Sequence, residues 1–130
     1  AEIAALADDG TNRILGFGDN LAFNDSLLIR YSSTSNRITV QSRVSSVYTA
    51  QITYDLADST NFSKIAFKYK ENDFALWVDG VEVGTNNSGT LPSSINSIFQ
   101  IPSNEFHGEI KDLEVYTTAL TDQELTDLTS

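Results

Sequence analysis

The sequence contains no cysteine. Disulfides, zinc ribbons and thiol nucleophiles are therefore excluded together, and the redox compartment is not readable from the chain. Histidine is almost as scarce: with His107 alone, no histidine-based metal cluster can form, and no Ser-His-Asp arrangement can be built except through that one residue. Bases are few, 8 Lys and Arg against 18 Asp and Glu, and the net charge of -10 repels phosphate backbones and anionic headgroups, which argues against a nucleic-acid partner. Also missing are an apolar run approaching about 18 residues and a basic-then-apolar leader. The expectation is a chain that, as it stands, neither inserts into a membrane nor is targeted to one. Its first residue, Ala1, fits either loss of a preceding Met or excision from a longer polypeptide.

What the chain does contain is enough for one core. At 130 residues, 40% hydrophobic and 20% charged, it fits a single globular domain over 1–130. From Ala1 to about Leu91, short apolar segments alternate with clusters of Asp, Asn, Ser and Gly and show no long helical period. That is the rhythm of antiparallel strands and turns. Strands are predicted over Ala1–Leu6, Arg13–Phe17, Leu27–Ser32, Arg37–Ser42, Ala50–Asp55, Ser63–Lys70, Phe74–Val78, Val81–Thr85, Ser97–Ile101 and His107–Tyr116. So many strands with so little helix imply an all-β sandwich or barrel.

Two turns fix a register in the middle of the chain. Asp79-Gly80 is a type I′ hairpin signal, pairing Val78 with Val81, Trp77 with Glu82, and Leu76 with Val83. A two-residue turn at Asn72-Asp73 would pair Tyr69 with Leu76, Lys68 with Trp77, and Phe67 with Val78. Side chains alternate faces along a strand, so Phe67, Tyr69, Leu76, Val78, Val81 and Val83 share the core face. Lys68, Trp77 and Glu82 lie in a row on the other. At the C-terminus, Thr121 and Glu124 have the spacing of a capping box, with Leu120 placed to staple onto Leu125. A short helix is expected from Thr121, docked through Leu125 and Leu128.

These motifs together resemble a known family. Trp77-Val78-Asp79-Gly80, Phe106-His107-Gly108-Glu109-Ile110, Val115-Tyr116 and Ala119-Leu120-Thr121-Asp122-Gln123-Glu124-Leu125, in that order, resemble the laminin-G-like jelly rolls of the concanavalin A-like group, in particular those of bacteriophage tail and virion proteins. The likeness covers the last half of the chain well and the first 60 residues loosely. It implies a two-sheet antiparallel jelly roll with a short C-terminal helix. It also implies a family whose members often bind glycans or proteins, sometimes with calcium, at the periphery of a virion or extracellular assembly. Each matching residue serves a turn, a core position or a cap, so the resemblance bears on fold more than on function.

Because the concanavalin-like group includes glucanases, catalytic carboxylates need testing. In Glu109-Ile110-Lys111-Asp112-Leu113-Glu114, Asp112 and Glu114 share a strand face but Glu109 falls on the opposite one unless a bulge intervenes, unlike the aligned acids that glycoside hydrolysis requires. The expectation is no enzyme. His107 is read as a surface position. Calcium needs six to eight oxygens, and the loop residues Asp19, Asn20, Asn24 and Asp25 are the first candidates to supply them.

Trp77 is the most informative single residue. Flanked by Lys68 and Glu82 on the face away from the core, it could be packed within the domain, anchor a subunit interface, or form a platform for a sugar ring. The register predicts an indole at least partly accessible or held between chains, with Tyr31 as a weaker companion. The reading is a non-catalytic, lectin-like module, of a phage virion or tail fibre, that binds cell-surface carbohydrate. Its rival is a structural or decoration domain that touches only neighbouring virion protein or, in a homo-oligomer, copies of itself.

Overall fold

A computed structural model describes residues 1–18, 24–99 and 104–130. Among them lie ten strands and one helix: β1 (Glu2–Ala5), β2 (Arg13–Gly18), β3 (Ser26–Tyr31), β4 (Arg37–Val44), β5 (Val47–Asp55), β6 (Ser63–Lys70), β7 (Asp73–Val78), β8 (Val81–Asn86), β9 (Ser97–Phe99), β10 (Gly108–Asp112) and α1 (Asp122–Thr129). They build two five-stranded sheets, ordered β10-β1-β6-β7-β8 and β5-β4-β3-β2-β9, with every strand pair antiparallel. The chain crosses between sheets after β1, β5, β8 and β9, giving the jelly-roll sandwich that the family resemblance implies and deciding between the sandwich and the barrel that the strand rhythm leaves open.

Alternation decides which side chains meet between the sheets. Leu15, Phe17, Leu27, Ile29, Ile38 and Val40 of one sheet pack against Ile3, Ile65, Phe74, Leu76 and Val78 of the other, with Phe67 and Tyr69 partly buried at the margin. The sheets come close at Gly84, where a methyl group would stand 2.6 Å from Ile52 Cγ2. Only a residue without Cβ fits there without displacing Ile52.

The Asp79-Gly80 turn forms as expected, with φ of 47° and 83°, and Val78 faces Val81 and Trp77 faces Glu82. A bulge between Leu76 and Trp77 then sets Leu76 opposite Gly84 instead of Val83. The preceding turn differs from expectation too. Its two residues are Glu71-Asn72, with φ of 57° at Asn72, so Tyr69 pairs with Phe74, Lys68 with Ala75, and Phe67 with Leu76. That moves the pairing by two positions, and a shift of two leaves every side chain on its face. The face assignment is right although the partners are not. Val81 nevertheless lies exposed at the hairpin tip.

Predicted strand His107–Tyr116 is shorter in the structure. It ends at Asp112, which pairs with Glu2 at the start of β1, and a strand cannot extend past its partner. Strand Ser97–Ile101 is seen as Ser97–Phe99; its last two residues lie outside the described ones.

At α1, Thr121 Oγ1 accepts from Glu124 N at 3.3 Å while Glu124 Oε2 accepts from Thr121 N at 2.7 Å, completing the capping box. The helix docks through Leu125 and Thr129, with Leu128 more exposed than the spacing predicts. Thr129 takes that role because its Oγ1 donates to Leu125 O at 2.8 Å and accepts from Gly80 N at 3.1 Å. The clasp thus closes onto the Asp79-Gly80 hairpin. No helix among the described residues is long and apolar enough to cross a membrane.

Candidate functional site

The row containing Trp77 lies where alternation puts it, but it is covered. Trp77 is 2% exposed and packs with Ala66, Ala75 and Leu125, with Leu120 against the same cluster. The expectation of an accessible or interfacial indole is corrected: α1 closes over it, because the capping box starts the helix where Leu125 falls on the ring. Lys68 is drawn inward with it. Its Nζ is 5.9 Å from the indole centroid, 2.9 Å from Asp73 and 3.6 Å from Asp122. Glu82 stays exposed on β8. Tyr31 is also corrected, to a core residue on the other sheet, 3% exposed, with its hydroxyl donating to Ile3 O at 3.2 Å. Burial, and secondarily Asp79, pushes that phenol well above its ordinary pKa. These four residues do not converge on a site.

The calcium candidates divide. Asp19 and Asn20 lie outside the described residues. Asp25 Oδ1 accepts from Ser45 N at 2.8 Å, and Asn24 O accepts from Ser46 N at 3.0 Å. Both contacts brace the β4–β5 turn, where Ser45 and Ser46 have φ of 49° and 70°. These two supply one carboxylate and one amide, far short of a calcium shell on their own. Among the described residues no group of three His, Cys, Asp or Glu could hold a metal. The neighbouring acids serve loops: Asp9 forks onto Arg13 with both contacts at 3.0 Å, and Asp8 accepts from Ser35 Oγ and from Asn36 N. His107 is exposed, 3.8 Å from Glu105.

A second set of hydrogen-bonding groups is on the outer face of the other sheet, where Thr39 and Gln41 are buried and Gln51 and Thr53 are exposed. β4 alternates Ile38, Val40 and Ser42 with Thr39, Gln41 and Arg43, so the second set points away from the core. Pairing extends each into a row: Arg30, Thr39 and Thr53; Leu28, Gln41 and Gln51; Ser26, Arg43 and Tyr48. Gln41 is 1% exposed and its Nε2 donates to Gln51 Oε1 at 2.5 Å. Gln41 Oε1 and Arg30 Nε are buried with no partner among the described residues. A bulge at Ser42/Arg43 brings Tyr48 opposite Arg43, whose guanidinium carbon lies 5.3 Å from the ring centroid, and leaves the ring 45% exposed. Amide, hydroxyl and guanidinium groups beside an open aromatic ring can bond sugar hydroxyls and stack on a sugar face. Sequence reasoning centred on the lone Trp passed over this face, although the period-two polarity of Thr39, Gln41 and Arg43 is its signal.

Comparison with known families finds that the Laminin_G_3 model, described as the concanavalin A-like lectin/glucanases superfamily, matches residues 3–126. A comparison with curated proteins finds no match. Among solved structures, a crystal structure of an S-layer domain-containing protein (residues 221–444) from Clostridium thermocellum aligns at a TM-score of 0.49 and 21% identity, over 95% of this chain and 65% of that one. The chain therefore spans about two thirds of that structure.

Proposed function

The chain belongs to the concanavalin A-like lectin/glucanase superfamily, and from that membership we propose that it is a non-catalytic recognition module that holds carbohydrate on the outer face of β3–β5. One observation carries the location: an exposed Tyr48 beside Arg43, in line with the exposed polar side chains of Gln51 and Thr53 on β5. Sugar rings need an apolar plate and fixed polar groups in one place. The non-catalytic reading is supported by the chemistry of the same face, where guanidinium, amide and hydroxyl groups stand instead of two carboxyls opposed across about 5 to 10 Å. The setting proposed is extracellular, at the periphery of a virion or tail fibre, and rests on the motif string from Trp77 to Leu125.

A glycan array probed with the wild-type domain and with Tyr48→Ala and Gln51→Ala tests this, run in calcium and in chelator. Binding by the wild type that both variants lose by about tenfold or more is expected, since truncating an interface anchor removes 1 to several kcal/mol. Equal binding by all three would reject the site.

A second reading has its own support. β5 is an edge strand, and Val47 and Tyr54 stand exposed at its two ends. An edge with unpaired backbone groups and apolar side chains can pair with another chain. In that case the domain is a structural piece of an assembly, and sedimentation shows concentration-dependent association that Val47→Lys abolishes.

A further inference from the structure

The Asp79-Gly80 turn is a reactive dipeptide as well as a hairpin. An aspartyl carboxyl can be attacked by the backbone nitrogen of the next residue, and glycine leaves that nitrogen unshielded because it has no side chain. A bond forms between Gly80 N and Asp79 Cγ, and the carboxyl hydroxyl departs with the N–H proton as water, leaving a five-membered succinimide. Water then opens the ring at either carbonyl. One opening restores Asp79. The other leaves an isoaspartyl linkage, in which the main chain runs through the side-chain methylene and is one carbon longer. Water is the only co-reactant.

In the folded chain both reacting groups are engaged elsewhere. Asp79 Oδ1 accepts from Lys64 N at 2.8 Å, and Asp79 N donates to Lys64 O at 3.0 Å, so the carboxyl is held against β6. Gly80 N donates to Thr129 Oγ1 at 3.1 Å, and that hydroxyl is fixed in turn by donating to Leu125 O at 2.8 Å. Thr129 is buried, whereas Asp79 is exposed. Solvent therefore reaches the carboxyl, and the nitrogen is what the fold withholds. Ring closure needs nitrogen and carboxyl carbon aligned at an attack distance of about 3 to 3.5 Å. A hydrogen bond to a buried hydroxyl keeps the N–H in place and opposes loss of its proton.

We propose that Asp79-Gly80 is an isoaspartate-forming modification site gated by α1. The docked helix guards the nitrogen, its release exposes it, and the modified turn no longer accepts the helix. The last step follows from the turn itself. Asp79 and Gly80, with φ of 47° and 83°, form the two-residue connection that pairs Val78 with Val81 and Trp77 with Glu82. An added main-chain carbon breaks that geometry and carries Gly80 N away from Thr129. The last turn of α1 then loses its tie to the hairpin, and Trp77 loses its cover. A transient opening becomes permanent. The device is independent of the proposed recognition face, which lies on the other sheet.

The test incubates the wild type, Thr129→Val and Thr129→Ser at neutral pH and physiological temperature. Isoaspartate at residue 79 is measured by electron-transfer fragmentation of the peptide that contains it. Valine keeps the bulk but cannot accept from Gly80 N; serine keeps the hydroxyl. Thr129→Val should accumulate isoaspartate about tenfold faster than the wild type, approaching the rate of a free peptide of residues 76–83, because opening at this site controls access to the nitrogen. Thr129→Ser should stay near the wild-type rate. Equal rates in the wild type and Thr129→Val overturn the proposal, as does a serine variant as fast as the valine one. A second measurement needs no variant. In the wild type under rising urea, isoaspartate formation should climb together with the red shift of Trp77 emission that reports undocking of α1. Formation that climbs only as the strand circular dichroism is lost overturns the gate, and purified isoaspartyl protein with unshifted Trp77 emission overturns the irreversible step.

Discussion

Leu125 of α1 lies in one buried cluster with Trp77 of β7, so the sequence's only tryptophan is sealed by its last helix. The helix is held there from both ends. The capping box sets its start, and Thr129 joins its last turn to the backbone of Gly80.

Trp77→Ala should therefore act on stability. Removing a fully buried aromatic side chain costs about 3 to 5 kcal/mol. Chemical denaturation should show a midpoint lowered accordingly, with carbohydrate binding unchanged where enough protein remains folded. A variant of wild-type stability that fails to bind would restore Trp77 as a ligand platform.

Thr121→Ala removes the cap and should cost about 1 kcal/mol. Because the helix covers Trp77, indole fluorescence should shift red at denaturant concentrations where the wild type is still unchanged. Coincident midpoints and emission would mean that the helix is held by Leu125 and Thr129 without help from its cap.

Acid stability should depend on Asp9. Hydrogen bonds from Arg13, then from Thr11, hold its carboxyl well below the usual carboxylate range. A group whose folded pKa lies below its unfolded value stabilises the fold above that unfolded value, about 4, and loses this contribution as pH falls toward the folded one. Asp9→Asn should lower the melting temperature at pH 7 and flatten its decline below pH 4. A parallel decline in both proteins would contradict the assignment.

Asp25→Ala separates turn bracing from metal binding. The bond from Ser45 N to Asp25 Oδ1 predicts a loss of about 1 kcal/mol that is the same in calcium and in chelator. A loss confined to calcium would assign Asp25 to a metal site.

The sandwich was readable because its signals are local. Asp79-Gly80 needs positive φ, Thr121 and Glu124 need one turn of helix, and Phe74, Leu76 and Val78 alternate with Ala75 and Trp77. What escaped is non-local. Nothing near Trp77 in sequence says that a helix more than 40 residues later will lie on it, and nothing near Tyr31 says that its hydroxyl will donate a hydrogen bond to Ile3 O. The turn lies one residue earlier than expected, at Glu71-Asn72, which moves the pairing by two and preserves the faces, since the pleat repeats every two. The outer face of β3–β5 was missed for a different reason: Thr39, Gln41 and Arg43 look like ordinary solvated strand positions until the structure shows Gln41 buried.

The recognition face proposed for this domain is the outer face of β3–β5 and not the Trp77 face. A backbone amide chemical-shift map, recorded while the best glycan from the array is titrated into labelled domain, tests it directly. Perturbations should concentrate on Gln41, Arg43, Tyr48, Gln51 and Thr53, with the Trp77 indole N–H unmoved. Shifts centred on Lys68, Trp77 and Glu82, with β4 and β5 silent, would contradict it.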